Sequence, residues 1–287
     1  MNVFANATWH PSVDLSFQGT PMTRRFYLSL VVALASAFPI HAQPRKDPPK
    51  NFANSIGMKF VWIPPGTFTM GSPLDEKVRQ ANEPQHKVTL TKGFYLGVYT
   101  VTQEEWQAVM GNNPSRCKGE KNLPVERVSW EDCQEFCKKL REKDNKQYRL
   151  PTEAEWEFAC RAGTTTPFYF GETTSTNQAN YWGDFTYGNG KVGVFRSQTT
   201  PVGSFPANAW GLYDMHGNVW QWCEDWHGDY PQKDVVDPRG PENGESRVLR
   251  GGSWRISPSS CRSAYRYGNV PGYRSSVVGV RVCFSVE

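Results

Sequence analysis

The segment Gly211-Leu212-Tyr213-Asp214-Met215-His216-Gly217-Asn218-Val219-Trp220 is the most informative stretch of this 287-residue chain. Its Gly, Asp and Asn residues favour a tight turn, because they accept backbone conformations that other residues avoid. The tryptophan that ends the segment is expected to be buried behind that turn. The segment therefore predicts a fold whose core consists of large flat side chains held by loops.

The composition of the whole chain agrees with this prediction. The chain contains 25 Gly and 21 Pro, so turns are frequent and long helices few, and 14% of its residues are aromatic, including 11 Trp. A charged fraction of 21% and a hydrophobic fraction of 38% exclude both a disordered chain and a multispan membrane protein. The net charge is only +4 and there is no long basic run, so nucleic-acid binding is not predicted.

Local patterns predict three short helices. Thr102, Ser129 and Thr152 are each followed three residues later by an acidic residue, which is the pattern of a capping box. Short β-like runs occur at Lys59–Ile63, Lys87–Leu90, Tyr95–Tyr99, Arg247–Arg250 and Val277–Phe284. The prediction is one compact α+β domain over residues 51–287, low in regular secondary structure. The aperiodic stretch 164–209 needs a metal, a disulfide or stacked aromatics to hold it.

The region before residue 51 is predicted to direct export. Residues 22–42 contain two arginines, a largely apolar stretch of thirteen residues and a final alanine, which is the pattern of a signal peptide cleaved near Gln43. A stretch of thirteen residues is too short to span a bilayer comfortably, so no permanent membrane anchor is expected. Residues 43–50 are a linker, and residues 1–21 are interpreted as a mis-assigned start. The predicted location is secreted or periplasmic.

Export changes the interpretation of the seven cysteines. In an oxidising compartment they can pair and one is left over, but the sequence does not determine which ones pair. The alternative is that unpaired thiols bind a soft metal or act as nucleophiles. The seven are Cys117, Cys133, Cys137, Cys160, Cys223, Cys261 and Cys283.

Five phrases, taken together and in order, resemble the formylglycine-generating enzyme (sulfatase-modifying factor) family. They occupy residues 63–72, 128–132, 149–157, 211–220 and 250–254. The resemblance implies a compact variant of the C-type-lectin fold. It also implies oxidation of a sulfatase cysteine to formylglycine, using O₂ and copper(I) held by two cysteines. The expected partner is a protein or peptide such as a sulfatase, and the expected protein is a monomer.

The copper-binding cysteines of the family lie just after the Gly-Gly-Ser phrase, five positions apart. Counting forward from Ser253 places them at Ile256 and Cys261, whereas counting back from later matching residues places the second at Pro258. Two thiolates suit copper(I), a soft ion, and an isoleucine has no donor atom. Cys261 therefore remains as a single catalytic candidate, and a two-thiolate copper site is not expected.

The resemblance implies further roles near the same phrase. Arg250, Ser253, Trp254 and Arg266 match the region of the peptide groove and are expected to bind substrate. Two disulfides are also implied, one joining Cys137 to Cys283 and the other joining Cys160 to Cys261. Under the second pairing Cys261 is structural, so both interpretations of this residue remain open.

A calcium loop is the second implied site. The matching ligands are the Asp214 side chain, the carbonyls of Gly217 and Val219, and the Gln221 side chain, which replaces a carboxylate of the family. Calcium prefers many oxygen ligands, and a tight glycine turn supplies carbonyls without charge. Calcium is therefore the expected cofactor. The alternative is that 214–220 is only a stabilising turn with a buried Trp.

Two further groups of residues carry weaker signals. A second calcium loop of the family matches Asn180 and Tyr181, but its carboxylate position falls near Val194. Asp214, Glu224 and Asp225 carry groups suited to acid–base chemistry, yet no partner is fixed and a solvated face is the preferred interpretation.

Two functional classes follow from these residues. One is an enzyme that modifies a partner protein, an active oxidase converting a sulfatase cysteine to formylglycine. The other is a non-catalytic module of the same fold that binds a protein, peptide or glycan. Because Ile256 lacks sulfur, the preferred hypothesis is a secreted family member whose oxidase activity is lost or altered.

Overall fold

The computed structural model describes residues 48–286, together with residues 12, 13 and 16. The chain divides into two units, residues 1–45 and residues 46–287, and every element below belongs to the second. The predicted signal peptide at 22–42 and linker residues 43–47 lie outside the described residues. In the part that is described, no helix combines the length and apolarity needed to cross a membrane.

Three short sheets and three helices form the domain. The elements, in chain order, are β1 (Asn51–Ala53), β2 (Lys59–Ile63), β3 (Gly66–Met70), β4 (His86–Leu90), β5 (Phe94–Gly97), α1 (Gln103–Met110), α2 (Trp130–Asp144), β6 (Tyr148–Arg149), α3 (Glu153–Arg161), β7 (Trp220–Trp226), β8 (Val235–Val236), β9 (Arg247–Arg250), a 3₁₀ helix (Pro258–Cys261), β10 (Arg266–Asn269), β11 (Val278–Gly279) and β12 (Cys283–Ser285). The sheets have the strand orders β1-β2-β5-β12-β6, β10-β9-β7-β11 and β3-β4-β8.

The predicted helix starts are confirmed. Thr102, Ser129 and Thr152 each accept a hydrogen bond from the third backbone N–H of the helix, and each third residue bonds back, so all three capping boxes form. The predicted run Val277–Phe284 instead forms two strands, because β11 pairs with β7 whereas β12 pairs with β5 and β6 in another sheet. The final segment thus joins two sheets.

The core is aromatic, as the composition predicted. Trp106 stacks on Phe136 with ring centroids 5.0 Å apart, and Tyr95 stacks on Phe284 at 4.9 Å. Between α3 and β7 the chain forms only isolated β-bridges. Buried aromatic side chains hold this long segment in place, and they cluster around Cys261: Phe168, Tyr181 and Tyr187. The stretch that needed an anchor is therefore held by packing.

Candidate functional site

The loop predicted to bind calcium leads directly into β7. Asp214 and Asn218 adopt positive φ angles of 54° and 64°, and Gly217 has a φ of 80°. A side-chain Cβ at Gly217 would lie 2.3 Å from the carbonyl oxygen of Asn180, so only glycine fits at this crossing. The two predicted calcium loops are therefore neighbours, joined by the bridge between Asn180 and Gly217.

Three oxygen atoms of this loop are available to a cation. Asp214 is buried, and its Oδ2 accepts a hydrogen bond from the Gly203 N–H at 2.8 Å, whereas its Oδ1 has no partner among the described residues. Burial raises the pKa of Asp214 to about 6. The carbonyls of Gly217 and Val219 accept no hydrogen bond within residues 48–286. These atoms are the kind of oxygen that calcium binds.

The fourth predicted ligand has other partners. The Gln221 Oε1 accepts hydrogen bonds from Trp156 Nε1 and from Arg281 Nε, both at 2.9 Å. An amide oxygen has two lone pairs, so both are used. The Gln221 Nε2 donates to the Asp214 carbonyl at 2.9 Å. Arg281, which contacts the same Gln221 side chain, is fully buried. The Asp214 Oδ1 and the carbonyls of Gly217 and Val219 are thus free of hydrogen bonds in the described chain, whereas the Gln221 oxygen is already saturated.

The second calcium loop is poorer in donors. The Asn180 Nδ2 donates to the Gln198 carbonyl at 2.9 Å, and the Asn180 Oδ1 is buried without a partner in the described chain. Val194, at the carboxylate position, is a largely exposed hydrocarbon side chain. Tyr181 is fully buried among the aromatics around Cys261. The donor set here is one amide oxygen and backbone carbonyls.

Cys261 lies at the end of the 3₁₀ helix and is fully buried. Its sulfur lies 3.8 Å from the Ser257 carbonyl oxygen, and a Cβ at Gly252 would approach the sulfur to 2.4 Å, so backbone covers it closely. Burial raises the pKa of the thiol to about 12, which keeps it protonated. Ile256, half-buried, offers only hydrocarbon. These two residues therefore do not fit a two-thiolate copper site.

His216 connects the two cysteines that the resemblance paired. It is buried, its Nδ1 donates to the Cys261 carbonyl at 2.7 Å, and its Nε2 accepts from the Tyr169 N–H at 3.1 Å. The Cys160 sulfur lies 3.9 Å from that Nε2. Burial lowers the pKa of His216 to about 3, so the imidazole stays neutral. His216 belongs to the quoted 211–220 segment, but its role depends on contacts that only the fold reveals.

All seven cysteines are free thiols in the structure, and neither predicted disulfide is present. The Cys160 sulfur lies 3.7 Å from Ser263 Oγ, and the Cys283 sulfur accepts from Arg149 at 3.0 Å. Six of the thiols are buried and only Cys117 is partly exposed. The predicted pairs Cys137–Cys283 and Cys160–Cys261 are therefore not confirmed, because all four of these residues are free thiols in the structure.

The four residues expected to bind substrate are all buried: Arg250, Ser253, Trp254 and Arg266. Arg250 pairs with Glu157 and donates to three backbone carbonyls between Ser263 and Tyr265. The Trp254 Nε1 donates to the Ser276 carbonyl at 3.0 Å. These contacts hold the domain together. Of the four, Arg266 lines a cavity.

Charged side chains of α3 form a buried ion network. The Arg161 Nε lies 2.8 Å from Glu157 Oε1, and Arg250 contacts the other oxygen of Glu157. Arg266 binds both oxygens of Glu153 at 2.7 Å. Sequence reasoning missed this network. The spacing of Glu153, Glu157 and Arg161 at four-residue intervals was its only local signal, because the remaining arginines come from β9 and β10.

A cavity of about 600 Å³ lies between the start of α3, the end of β7 and the segment 228–241. Its apolar walls include Met70, Ala154, Val235, Pro238 and Pro241. Asp225 lines it, is only 4% exposed, and accepts a hydrogen bond from the Glu153 N–H at 2.8 Å. The interpretation of Asp214 and Asp225 as parts of a solvated face is therefore wrong, because both side chains are buried, whereas Glu224 is half-buried.

This chain is similar in sequence to several known proteins. A profile of the sulfatase-modifying factor enzyme 1-like domain matches residues 45–286. The formylglycine-generating enzyme of Mus musculus is 31% identical over 78% of this chain and 74% of its own length. Chaperone protein LppX of Paenibacillus barcinonensis is 35% identical over 66% of this chain and 79% of its own. Serine/threonine-protein kinase pkn1 of Chlamydia caviae is 33% identical over 80% of this chain. The matched region spans only 38% of the length of that kinase.

Solved structures agree with these sequence relatives. Treponema denticola variable protein 1 superposes with a TM-score of 0.73 and 29% identity, covering 83% of this chain and all of that one. PvdO from Pseudomonas aeruginosa superposes with a TM-score of 0.72 and 32% identity, covering 84% of this chain and all of PvdO. The chain therefore belongs to the sulfatase-modifying factor family, which includes the formylglycine-generating enzymes, and has its C-type-lectin-like fold.

Proposed function

We propose that this chain is a family member that lacks formylglycine-generating activity and binds a protein or peptide partner. One observation carries the first half of this proposal. At the two positions counted from Ser253, Ile256 has no donor atom and the Cys261 thiol is buried and protonated. Without two accessible thiolates, copper(I) has no site at which O₂ and a substrate thiolate can meet.

Partner binding is supported by an aromatic patch beside Ile256. The backbone carbonyl of Ile256 accepts a hydrogen bond from the Trp182 N–H at 3.0 Å. The Trp182 ring stacks on Phe195 at 5.1 Å, and Phe195 stacks on Trp254 at 6.1 Å. Phe185, against the edge of Trp182, is 47% exposed. Trp182 and Phe195 are partly exposed and Trp254 is buried, so Phe185 is the exposed member of this cluster. Aromatic side chains are enriched at protein interfaces, and one relative is named a chaperone protein.

The reduced, copper(I)-loaded protein is expected to form no aldehyde on a sulfatase peptide that contains the target cysteine. The mouse formylglycine-generating enzyme, assayed on the same peptide, serves as the positive control. Mass spectrometry of the peptide measures the conversion. Aldehyde formation by this chain that disappears in Cys261→Ser would show that one cysteine suffices and would overturn the proposal.

We also propose that Ca²⁺ binds at Asp214, Gly217 and Val219. Their unpaired oxygens support this, and calcium at about 100 times its dissociation constant is expected to add about 2.7 kcal/mol to the free energy of unfolding. Thermal unfolding with calcium and with excess chelator measures the difference. Asp214→Asn should abolish it, whereas the same change at the exposed Asp234 should not. Equal melting temperatures with calcium and chelator would refute the site.

Export, with a monomeric mature protein, completes the proposal. It depends on the sequence pattern of residues 22–42, with cleavage near Gln43. The N-terminal sequence of exported protein would check the cleavage site.

A further inference from the structure

The buried carboxyl groups of this domain follow a pattern. Seven carboxyl residues are buried in the described chain, and four of them pair with arginine: Glu83, Glu153, Glu155 and Glu157. Burying an ionised carboxylate is costly unless a cation accompanies it, so these pairings are expected. The other three, Glu126, Asp214 and Asp225, form no salt bridge with any described residue.

Asp225 differs from the other two because it lines the 600 Å³ cavity. Its Oδ2 is held by the Glu153 N–H, whereas its Oδ1 accepts no hydrogen bond within residues 48–286. The nearby Arg266 cannot serve as its partner, since this guanidinium already binds both oxygens of Glu153 and donates to two backbone carbonyls. An unpartnered carboxyl oxygen thus lies at the wall of a largely apolar cavity.

We propose that this cavity binds an organic primary amine, with the ammonium group on Asp225 and the apolar body against the walls formed by Met70, Val235 and Pro241. The volume of the cavity is within the range of ligand pockets, which combine apolar walls with a few polar groups. Neither Ile256 nor Cys261 lines this cavity, so the inference is independent of the proposed function.

The charges around Asp225 favour a cation. Burial, and then the neighbouring carboxylates Glu153, Glu155 and Glu224, raise the pKa of Asp225 to about 8. At neutral pH the folded protein therefore keeps a proton where a cation would otherwise stand. Arg266 and His86 also line the cavity, as do the loop charges Asp229, Lys233, Asp234 and Arg239.

Amine binding exchanges one cation for another. The carboxylic acid of Asp225 loses its proton to the buffer, and the resulting carboxylate pairs with the ammonium group, so no bond of the ligand breaks. Below the pKa of Asp225, affinity should therefore rise about tenfold per pH unit, because deprotonation must precede pairing. Above the pKa of Asp225 the rise should level off, and affinity should fall again where the ammonium group of the ligand loses its own proton.

Calorimetric titration with benzylamine tests the proposal, and benzyl alcohol and benzoate are the neutral and anionic probes of the same shape. We expect benzylamine to bind more tightly than both, and Asp225→Asn to weaken it about tenfold or more. Asp75→Asn, a matched change at an exposed position that does not line this cavity, should leave affinity unchanged. A second variant, Val236→Trp at an exposed position of the cavity lining, should block entry without disturbing Asp225.

Proton release is a second readout, because non-specific binding of the probe would not deprotonate Asp225. Titrations at pH 6.5 in two buffers with different ionisation enthalpies should show release of close to one proton per benzylamine bound. A peptide-like probe, Nα-acetyl-lysine N-methylamide, distinguishes a lysine side chain from a small free amine as the natural source. Equal binding of benzyl alcohol and benzylamine, unchanged affinity in Asp225→Asn, or no binding of benzylamine would each overturn the proposal.

Discussion

Replacing Arg250 with methionine is expected to lower the free energy of unfolding by about 3–5 kcal/mol, because it leaves a buried carboxylate oxygen without a counter-charge. Arg250 is fully buried and pairs with Oε2 of Glu157, whose Oε1 is held by Arg161 and the Gly71 N–H. Methionine fills a similar volume, so the effect reports the lost charge and hydrogen bonds more than a cavity. Urea-induced unfolding measures the change.

Arg274→Met is the matched control. Arg274 also binds a carboxylate with two nitrogens, Asp132 at 2.7 and 2.8 Å, but half of its side chain is exposed. Its loss should cost less than about 1 kcal/mol, since water replaces the partner. Equal effects of the two changes would contradict the role given to burial.

A double variant separates the ion pair from its surroundings. Glu157→Gln removes the charge of the carboxylate whose Oε2 loses its partner in Arg250→Met, so the double variant should lose less stability than the sum of the single changes. A positive coupling of about 0.5–3 kcal/mol is expected. Strict additivity would indicate that Arg250 acts through its three backbone carbonyls alone.

The sequence predicted those parts of the fold that depend on nearby residues. A capping box spans four residues, and the boxes at Thr102, Ser129 and Thr152 all form. The aromatic core followed from composition. By contrast, Glu157 and Arg250 are 93 residues apart, and the usual expectation for Glu and Arg is exposure to solvent. Their pairing depends on how α3 packs against β9, which no local pattern encodes.

The candidate site was predicted in part for a similar reason. The resemblance located Ile256, Cys261 and the 211–220 loop, and the chemistry of Ile256 could be judged from the sequence alone. The burial of Cys261 and the saturation of Gln221 by Trp156 and Arg281 depend on tertiary contacts. The cavity beside Asp225 lies between segments far apart in sequence and had no signal in any single motif.

Asp225→Asn is expected to remove a large pH dependence of stability. In the unfolded chain this carboxyl ionises near pH 4, whereas in the folded protein its pKa is about 8, chiefly because of burial and then of Glu153. Between these values the folded state holds one more proton than the unfolded state. Stability contributed by the protonated group is therefore complete below pH 4 and is lost as the pH rises towards 8.

The expected size of this loss is about 5 kcal/mol at its upper limit, since each pH unit between the two pKa values corresponds to 1.36 kcal/mol. Asparagine mimics the neutral acid and keeps an oxygen for the Glu153 N–H, so the variant should nearly equal the wild type at about pH 4 and exceed it in stability at about pH 8. Urea unfolding at both pH values measures this. Asp234→Asn, exposed to solvent, should leave the slope unchanged. Parallel pH profiles of wild type and Asp225→Asn would contradict a raised pKa of Asp225, because a carboxyl with the same pKa in both states adds no pH dependence to stability.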